Sequence, residues 1–235
     1  RLFACILGAA VAAGTQAQSP SSMVSDVAVV GNVVISRDAI LAVAQTRAGA
    51  AFSREVASKD VVAIRDLGYF QRVAYRDEDT PSGVRVIFEV VENPQIKKIV
   101  VTGNSIIPEA DILAQMTTKV GDVLNTPRFG KDLDRVQDLY TQKGYLALVD
   151  ASQANLITPE GVLTLNVQEV TIEAYRVIGN KKTKTHVIVR EIRTPVGRPF
   201  NRGKLQEDIG RIYNQGLVEP QTYRLEPGAK PNQVI

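Results

Sequence analysis

One pattern recurs three times along the chain and restricts its possible folds more than any other feature. An apolar run ends in Gly-Asn at Gly31, Gly103 and Gly179, and a second glycine follows 18 positions later in each copy. A third glycine follows the first by 37, 41 and 37 residues. The unit therefore recurs after 72 and then 76 residues, which indicates an array of small domains and excludes a short-period solenoid.

Each unit is predicted to begin with a strand and two helices. The β-branched run before Gly-Asn is typical of a strand, and Gly-Asn tolerates the left-handed turn that follows it. Apolar residues at i and i+4, such as Ile40 and Ala44, predict the first helix, and Ser53 is a suitable cap for the second. The predicted apolar faces of the second helices are Ala57, Val61 and Ile64, then Phe129, Leu133 and Val136, then Leu205, Ile209 and Ile212.

The middle unit has four additional residues before its third glycine. Four residues amount to about one turn of an α-helix. We therefore expect this insertion to lengthen the second helix of the middle unit while its apolar face stays in phase.

Two further strands close each unit and define its fold class. They are predicted at 72–77 and 84–91 in the first unit, and at 146–151 and 162–167 in the second. In the third unit a strand near 221–225 precedes another that begins near Gln233. The order β-α-α-β-β predicts an α+β fold in which two helices cover one face of a three-stranded sheet. The predicted domains are 24–92, 93–170 and 171–235, the last being truncated inside its final strand.

The N-terminal residues resemble a secretory signal. An apolar run from Leu2 to Gly14 follows Arg1, and small residues precede a cleavage site expected after Ala17. The run is shorter than the roughly 20 residues that a membrane-spanning helix needs. We therefore predict a signal peptide at 1–17 that carries away Cys5, the only cysteine in the chain.

Composition excludes several kinds of active site. One cysteine and one histidine exclude a disulfide framework, a cysteine-based zinc site and paired-histidine catalysis. The nucleotide-binding glycine motifs and the H-E-x-x-H zinc motif do not occur, and the acidic run at 77–79 does not follow the pattern of a calcium loop. Asp132, which alternates with Lys131 and Arg135, is predicted on an exposed helix face. We expect no enzyme activity, metal or cofactor.

The repeated motifs resemble a known family. The V-x-x-G-N start, the glycine in the middle of the unit with Phe or Leu three residues later, and the Leu-Gly-Tyr-Phe step into a strand are similar to polypeptide-transport-associated (POTRA) domains. Tandem units behind a signal peptide resemble the periplasmic arm of BamA-type outer-membrane β-barrel assembly factors. Gln215-Gly216-Leu217 departs from the Gly-Tyr-Phe form in the third unit.

The resemblance implies a function and a site. It implies an arm in the periplasm, attached to the outer membrane through a β-barrel that follows the last unit. Its partners are unfolded outer-membrane protein precursors, with accessory lipoproteins or chaperones of the machinery, and no nucleic acid. In the family the second strand of each unit is the usual sheet edge, to which a peptide adds as a further strand. The corresponding residues here are Val73, Ala74, Tyr75, Ala147, Leu148, Val149, Thr222 and Tyr223.

Charge is distributed unevenly among the units. The first two have a net charge of −2 each, whereas the third has +6. Lys181, Lys182 and Lys184 cluster directly after the third Gly-Asn. These lysines are candidates for contact with anionic lipid head groups or an acidic partner.

Two alternative functions remain open at this point. KH modules also follow the order β-α-α-β-β, but they bind nucleotides with a G-x-x-G loop between the helices. Phe52, Leu124 and Phe200 replace the second glycine of that loop in this chain, which weighs against RNA binding. A sibling transporter, acting in two-partner secretion or autotransporter assembly, has similar domains and is not separated by the visible residues.

Overall fold

The computed structural model describes residues 23–150, 156–216 and 223–235. The first unit comprises β1 (Val24–Val30), α1 (Arg37–Val43), α2 (Arg54–Asp66), β2 (Phe70–Thr80) and β3 (Gly83–Glu92). The second comprises β4 (Lys98–Thr102), α3 (Glu109–Gln115), α4 (Thr126–Gln142), β5 (Ala147–Asp150) and β6 (Val162–Glu169). The third comprises β7 (Thr171–Ile172), α5 (Thr185–Val189), α6 (Arg202–Asn214) and β8 (Gln233–Val234). The predicted signal peptide at 1–17 lies outside the described residues.

The last strand of each complete unit lies between the other two. In the first unit β3 pairs in parallel with β1 and antiparallel with β2, so the strand order is β1-β3-β2. The second unit repeats this topology in the order β4-β6-β5. The predicted α+β class, with two helices against a three-stranded sheet in these units, is confirmed.

The third unit differs from the prediction in its second strand. β7 pairs in parallel with β8, as β1 pairs with β3. The antiparallel pairing with β8 begins only at Glu226, which exchanges backbone hydrogen bonds with Ile235, and at Pro227. Tyr223 therefore lies outside any strand, and Thr222 lies outside the described residues. A strand forms only where a partner strand is present, and here the pairing reaches no further than Glu226.

The predicted apolar helix faces form the core of each unit. Ala57 and Ile64 on α2 are fully buried, as are Val136 on α4 and Ile112 on α3. The second helix of the middle unit has 17 residues, against 13 in α2 and in α6. The prediction that the four-residue insertion lengthens this helix is therefore confirmed. Tyr140, near the end of the helix, is also fully buried, so the apolar face stays in phase over the added turn.

The Gly-Asn motif makes a tight connection after the first strand. Gly31 has a φ of +88°, and a Cβ at this position would overlap the carbonyl oxygen of Val90 on β3. The side chain of Asn32 then donates a hydrogen bond of 2.9 Å to the carbonyl oxygen of Ile35. Only glycine combines this conformation with so close an approach of two backbones, and Gly103 repeats both features against Val167. Gly179 shares the positive φ, of +85°, without a close contact.

A buried aspartate on the second helix holds the end of the first helix in every unit. Asp132 was predicted on an exposed face, and this is wrong, since its side chain is fully buried. Its carboxylate accepts hydrogen bonds from the backbone N–H of Thr117 (2.8 Å) and of Thr118 (2.9 Å). Asp60 and Asp208 accept equivalent bonds in the other units. The charge pattern on the helix misled the prediction because it carries no information on these partners.

Two of these carboxylates have shifted pKa values. Burial raises the pKa of Asp132, but the hydrogen bonds from Thr117 and Thr118 outweigh burial and leave the pKa below its ordinary value of 3.8. The same balance, with Thr194 and Arg211 as donors, lowers the pKa of Asp208. Both groups therefore stabilise the native units in their charged form.

We expect Asp132→Asn to destabilise the middle unit by about 2–3 kcal/mol, the scale of hydrogen bonds to a buried charged group. An amide has one acceptor oxygen, so it cannot satisfy both backbone donors. Urea titration at pH 7 measures this change. Asp134→Asn, an exposed change on the same helix, is the matched control and should alter the free energy of unfolding by less than about 0.5 kcal/mol.

The difference between wild type and Asp132→Asn should also depend on pH. Because the folded pKa lies below 3.8, the stabilisation is complete above that value and is lost as the pH falls through the folded pKa. Urea titrations should give nearly the same difference at pH 7 and pH 5, and a smaller difference at pH 3. A difference that stays constant over this range would contradict the role assigned to the carboxylate.

Candidate peptide-binding edge strands

The candidate residues of the first unit lie on an edge strand of its sheet. Val73, Ala74 and Tyr75 are in β2, and they pair on one side only, with Val90, Glu89 and Phe88 of β3. Within residues 23–150, no backbone hydrogen bond from outside the sheet reaches the other side of residues 71–79. This strand, which has 11 residues in total, therefore presents an open edge along residues 71–79.

The pairing register decides which of these residues offer their backbone groups to a partner. Val84 of β3 donates its backbone N–H to Met23, which lies on the β1 side. Every second residue of β3 from Val84 onward therefore directs its backbone N–H and C=O groups toward β1. The residues between them, Glu89 among them, bond to β2. Ala74 faces Glu89 and is therefore bonded within the sheet.

Val73 and Tyr75 consequently direct both backbone groups to the open edge. Their partners across the ladder, Val90 and Phe88, belong to the set that bonds to β1. The predicted segment thus contains two binding positions that flank a residue bonded inside the sheet.

The second unit has the same alternation on β5. A Cβ on Gly103 would overlap the carbonyl oxygen of Val167, so Val167 of β6 points toward β4. Its partner across the ladder is Val149, which therefore faces the open edge. Ala147 has the same backbone direction, but this residue is buried with 3% of its surface exposed. Leu148 pairs with Gln168 and is bonded within the sheet.

Side chains at the edge divide between the two faces of the sheet. Val73 and Tyr75 pack against the core of the first unit, and Val149 packs against that of the second. Leu148 lies on the opposite face with 44% of its surface exposed. An added strand would thus meet apolar side chains on the core side of both edges.

The opposite edge of the first sheet is bonded to other parts of the chain. In the first unit Gly49 donates a hydrogen bond to Val24 of β1, and Val24 donates one to Ala50, both at 2.8 Å. Farther along, the guanidinium of Arg37 donates to the carbonyl oxygen of Val27 at 2.6 Å. The mid-unit glycine therefore lies in a segment that covers the β1 edge and leaves β2 as the open edge.

The same covering occurs in the other units and bears on the RNA-binding alternative. Gly121 donates to Ile96 in the second unit, and Gly197 donates to Ile172 in the third, each at 2.7 Å. This is the loop between the helices, where a KH module would hold nucleotides. In this chain its backbone is bonded to the first strand in the first and third units, and to Ile96, just before β4, in the second.

Charged side chains flank the open segment of β2. Arg76 contacts Glu89 at 2.8 Å and also Glu78, and Asp77 contacts Arg54 at 3.6 Å. Charges along an edge strand limit indiscriminate pairing with other chains. The stretch from Val73 to Tyr75, between Arg72 and Arg76, carries no charged side chain.

The lysine cluster lies on the surface of the third unit. Lys181, Lys182 and Lys184 are exposed, and Lys184 occupies the N-cap position of α5 without a side-chain capping bond. Positive charge is unfavourable near a helix N-terminus, so these side chains do not stabilise the helix. A contact with an anionic surface stays a prediction.

The described parts of the chain contain no candidate for catalysis or metal binding among the histidine, cysteine and acidic side chains. There, His186 is exposed, and no group of three or more histidine, cysteine, aspartate or glutamate side chains is arranged to hold a metal ion. Over the same residues, no helix combines the length and apolar character needed to cross a membrane.

These features define a class: a tandem α+β repeat in which the second strand of each complete sheet is an open edge. A sequence model of the POTRA family, described as "Surface antigen variable number repeat", matches residues 22–93, 94–169 and 170–235. The chain belongs to the POTRA family. This match also sets aside the KH interpretation.

The similar proteins are outer-membrane assembly factors and their relatives. The "Outer membrane protein assembly factor BamA" of Nitratidesulfovibrio vulgaris is 36% identical over 148 residues, which are 62% of this chain and 19% of that protein. The N-terminal domain of Omp85 from Thermosynechococcus elongatus is 27% identical with a TM-score of 0.76, covering 92% of this chain and 95% of that one. POTRA1-3 of Omp85 from Anabaena is also 27% identical, with a TM-score of 0.74 and coverage of 92% and 94%. The matched segment spans less than a fifth of the length of the Nitratidesulfovibrio protein.

We expect hydrogen exchange to show the alternation along β2 directly. The amide of Ala74 should exchange at least about tenfold more slowly than those of Val73 and Tyr75, since a bonded amide exchanges only when the strand opens. Residue-resolved exchange measured by NMR tests this. Equal protection at the three positions would contradict the register derived above.

Proposed function

We propose that this chain is the periplasmic part of an outer-membrane protein assembly factor. Membership of the POTRA family and 36% identity to a protein named as such a factor support this assignment. The arm then lies in the periplasm, and a membrane β-barrel follows it. Its role is binding rather than catalysis, and it needs neither metal nor cofactor.

The observation that carries the proposal is the open edge of β2. An extended peptide can add to this edge as a further strand, with main-chain hydrogen bonds to Val73 and Tyr75. These bonds involve groups that every residue has, so the edge accepts many sequences. Precursors of outer-membrane β-barrels are suitable partners for such a site, because their sequences form strands in the folded barrel and can adopt an extended conformation.

The edge of β5 is the second candidate site. β5 has 4 residues, against 11 in β2, and it offers Val149, since Ala147 is buried. A shorter edge forms fewer bonds with an added strand, so we expect weaker binding there. In the third unit, Tyr223 lies outside any strand, and an edge at Thr222 and Tyr223 stays a prediction.

Further partners follow from the assignment. Accessory lipoproteins or periplasmic chaperones of the assembly machinery would bind other surfaces of the arm. Lys181, Lys182 and Lys184 are the candidates for contact with anionic lipid. Co-sedimentation with vesicles that contain anionic lipid, repeated after reversal of these three charges, tests that contact, which unchanged binding would refute.

A sibling transporter for two-partner secretion or autotransporter assembly remains the second candidate. The named relative at 36% identity favours the assembly factor. Depletion in the source organism would separate the two, because loss of an assembly factor lowers the level of many outer-membrane proteins. Loss of a dedicated transporter would affect only its own partner.

We expect a synthetic barrel-strand peptide to protect alternate amides. Exchange at Val73 and Tyr75 should slow when the peptide is added, and to a smaller extent at Val149, because these amides gain a partner. Ala74 should change little, since its amide is already bonded. NMR exchange with and without the peptide measures this, and unchanged protection at Val73 and Tyr75 would exclude strand addition at β2.

A pair of variants separates main-chain binding from side-chain binding. Val73→Pro removes one outward N–H at an edge position where proline is tolerated, so affinity for the peptide should fall by about tenfold or more, the equivalent of one lost hydrogen bond. Ala74→Ser changes a side chain on the face away from the core and leaves the outward groups in place. Its affinity should stay within about twofold of wild type. Circular dichroism and melting of both variants show whether the fold is retained.

A further inference from the structure

Consecutive units are joined at the N-cap of a second helix. Asn125 caps α4, and its side-chain oxygen accepts a 2.9 Å hydrogen bond from the backbone N–H of Arg128. Its side-chain amide donates a 2.7 Å bond to the carbonyl oxygen of Leu67, the residue that ends α2 in the preceding unit. The backbone N–H of Thr126 donates to Gly68 at 3.0 Å. One side chain thus serves two units at once.

The next junction repeats this arrangement. Asn201 caps α6 by accepting a 3.0 Å bond from the N–H of Lys204. Its amide donates at 3.2 Å to the carbonyl oxygen of Lys143, which ends α4. Arg202 donates its N–H to Gly144 at 2.8 Å. Both asparagines are buried, with 7% and 9% of their surface exposed.

The first unit shows that capping alone does not need asparagine. Ser53 occupies the equivalent position on α2, and its hydroxyl accepts the capping bond from Val56 at 3.4 Å. Serine has no amide donor. The side-chain amide of Asn125 and of Asn201 therefore forms its hydrogen bond between units and not within one unit.

The glycine that ends each second helix completes the joint. Gly68 has a φ of +80° and is buried, and a Cβ there would overlap the ring of Pro127 in the next unit. Gly144 has the same φ and lies against the side chain of Asn201. The two units approach so closely that only a hydrogen atom fits between them at the first joint.

The two joints differ in the residue that follows the last strand. Asn93 donates side-chain hydrogen bonds to Gly68 (3.1 Å) and Leu124 (2.8 Å) at the first joint. Val170 takes this place at the second joint, where it is buried with Phe200 and packs near Leu146 of the preceding unit. The asparagine bonds are therefore accompanied by further hydrogen bonds at the first joint and by apolar packing at the second.

We propose that Asn125 and Asn201 are joint residues whose side-chain amides fix the orientation of each unit relative to the one before it. The interaction surface on the preceding unit is the turn that ends its second helix, with the two carbonyl oxygens of Leu67 and Gly68 or of Lys143 and Gly144. Each joint acts independently, because its bonds involve only the two units that it connects.

Asn125→Asp tests the first joint with little effect on the helix. Aspartate caps helices about as well as asparagine, but it replaces the donor that faces Leu67 with an oxygen. Pairs of spin labels at exposed positions of the second helices report the orientation: Ser58→Cys with Asp134→Cys across the first joint, and Asp134→Cys with Glu207→Cys across the second. The full chain is used with Cys5→Ser, so that only the introduced cysteines react.

We expect Asn125→Asp to broaden the label-to-label distance distribution across the first joint and to leave the second unchanged. Asn201→Asp should show the reverse. Asn125→Ser provides an independent variant, since serine keeps the cap, as at Ser53, without the amide. Circular dichroism and melting temperatures of all variants establish that the units remain folded.

Gly68→Ala and Gly49→Ala form a matched pair for the steric part of the joint. Their φ angles are +80° and +82°, so alanine strains the backbone equally, but a Cβ at Gly49 has no atom within 4 Å. Only Gly68→Ala should shift the distance distribution across the first joint. If the distributions across the first joint stay at the wild-type width in Asn125→Asp and Asn125→Ser, the proposal is overturned.

Discussion

Each complete sheet depends on its central strand, which is the last of the three strands in sequence. β3 bonds to β1 on one side and to β2 on the other, so neither outer strand contacts the other. The parallel pairing with β1 joins residues about 60 positions apart, such as Val27 and Val86. Because parallel strands need a long crossover, both helices fit between β1 and β3 in sequence, and they cover one face of the sheet. The outer strands β1 and β2 form the two edges of the first sheet, and these edges differ in their hydrogen bonding.

The difference between the edges is the physical basis of the proposed function. The β1 edge is bonded to the loop that contains Gly49 and to the side chain of Arg37. The β2 edge has no such covering within the described residues, and its backbone groups alternate between the sheet and the exterior. Val73 and Tyr75 therefore combine an outward backbone with a side chain that faces the core. Binding by backbone alone suits partners that share extended conformation rather than sequence.

Buried polar groups connect the elements that apolar packing brings together. The carboxylate of Asp132 binds the backbone at the end of α3, and the amide of Asn125 binds the end of α2 in the neighbouring unit. Such groups are costly to bury without partners, which makes their geometry specific. Apolar faces can slide over one another, whereas these bonds exist at one position only. The array thus gains both its internal alignment and its joints from a few polar side chains.

The repeat itself was sufficient to predict the number of units, the helix faces and the lengthening of α4, because glycine register and apolar periodicity are local properties of the chain. It did not predict the burial of Asp132, although an aspartate occurs 29 residues after the Gly-Asn glycine in all three copies. Nor did it separate Val73 and Tyr75 from Ala74, since the direction of a backbone group depends on the register with β3. The repeat also did not predict that Asn125 both caps α4 and binds the preceding unit. In each case the deciding partner lies on another element or another unit, so only the tertiary structure places the two groups within hydrogen-bonding distance.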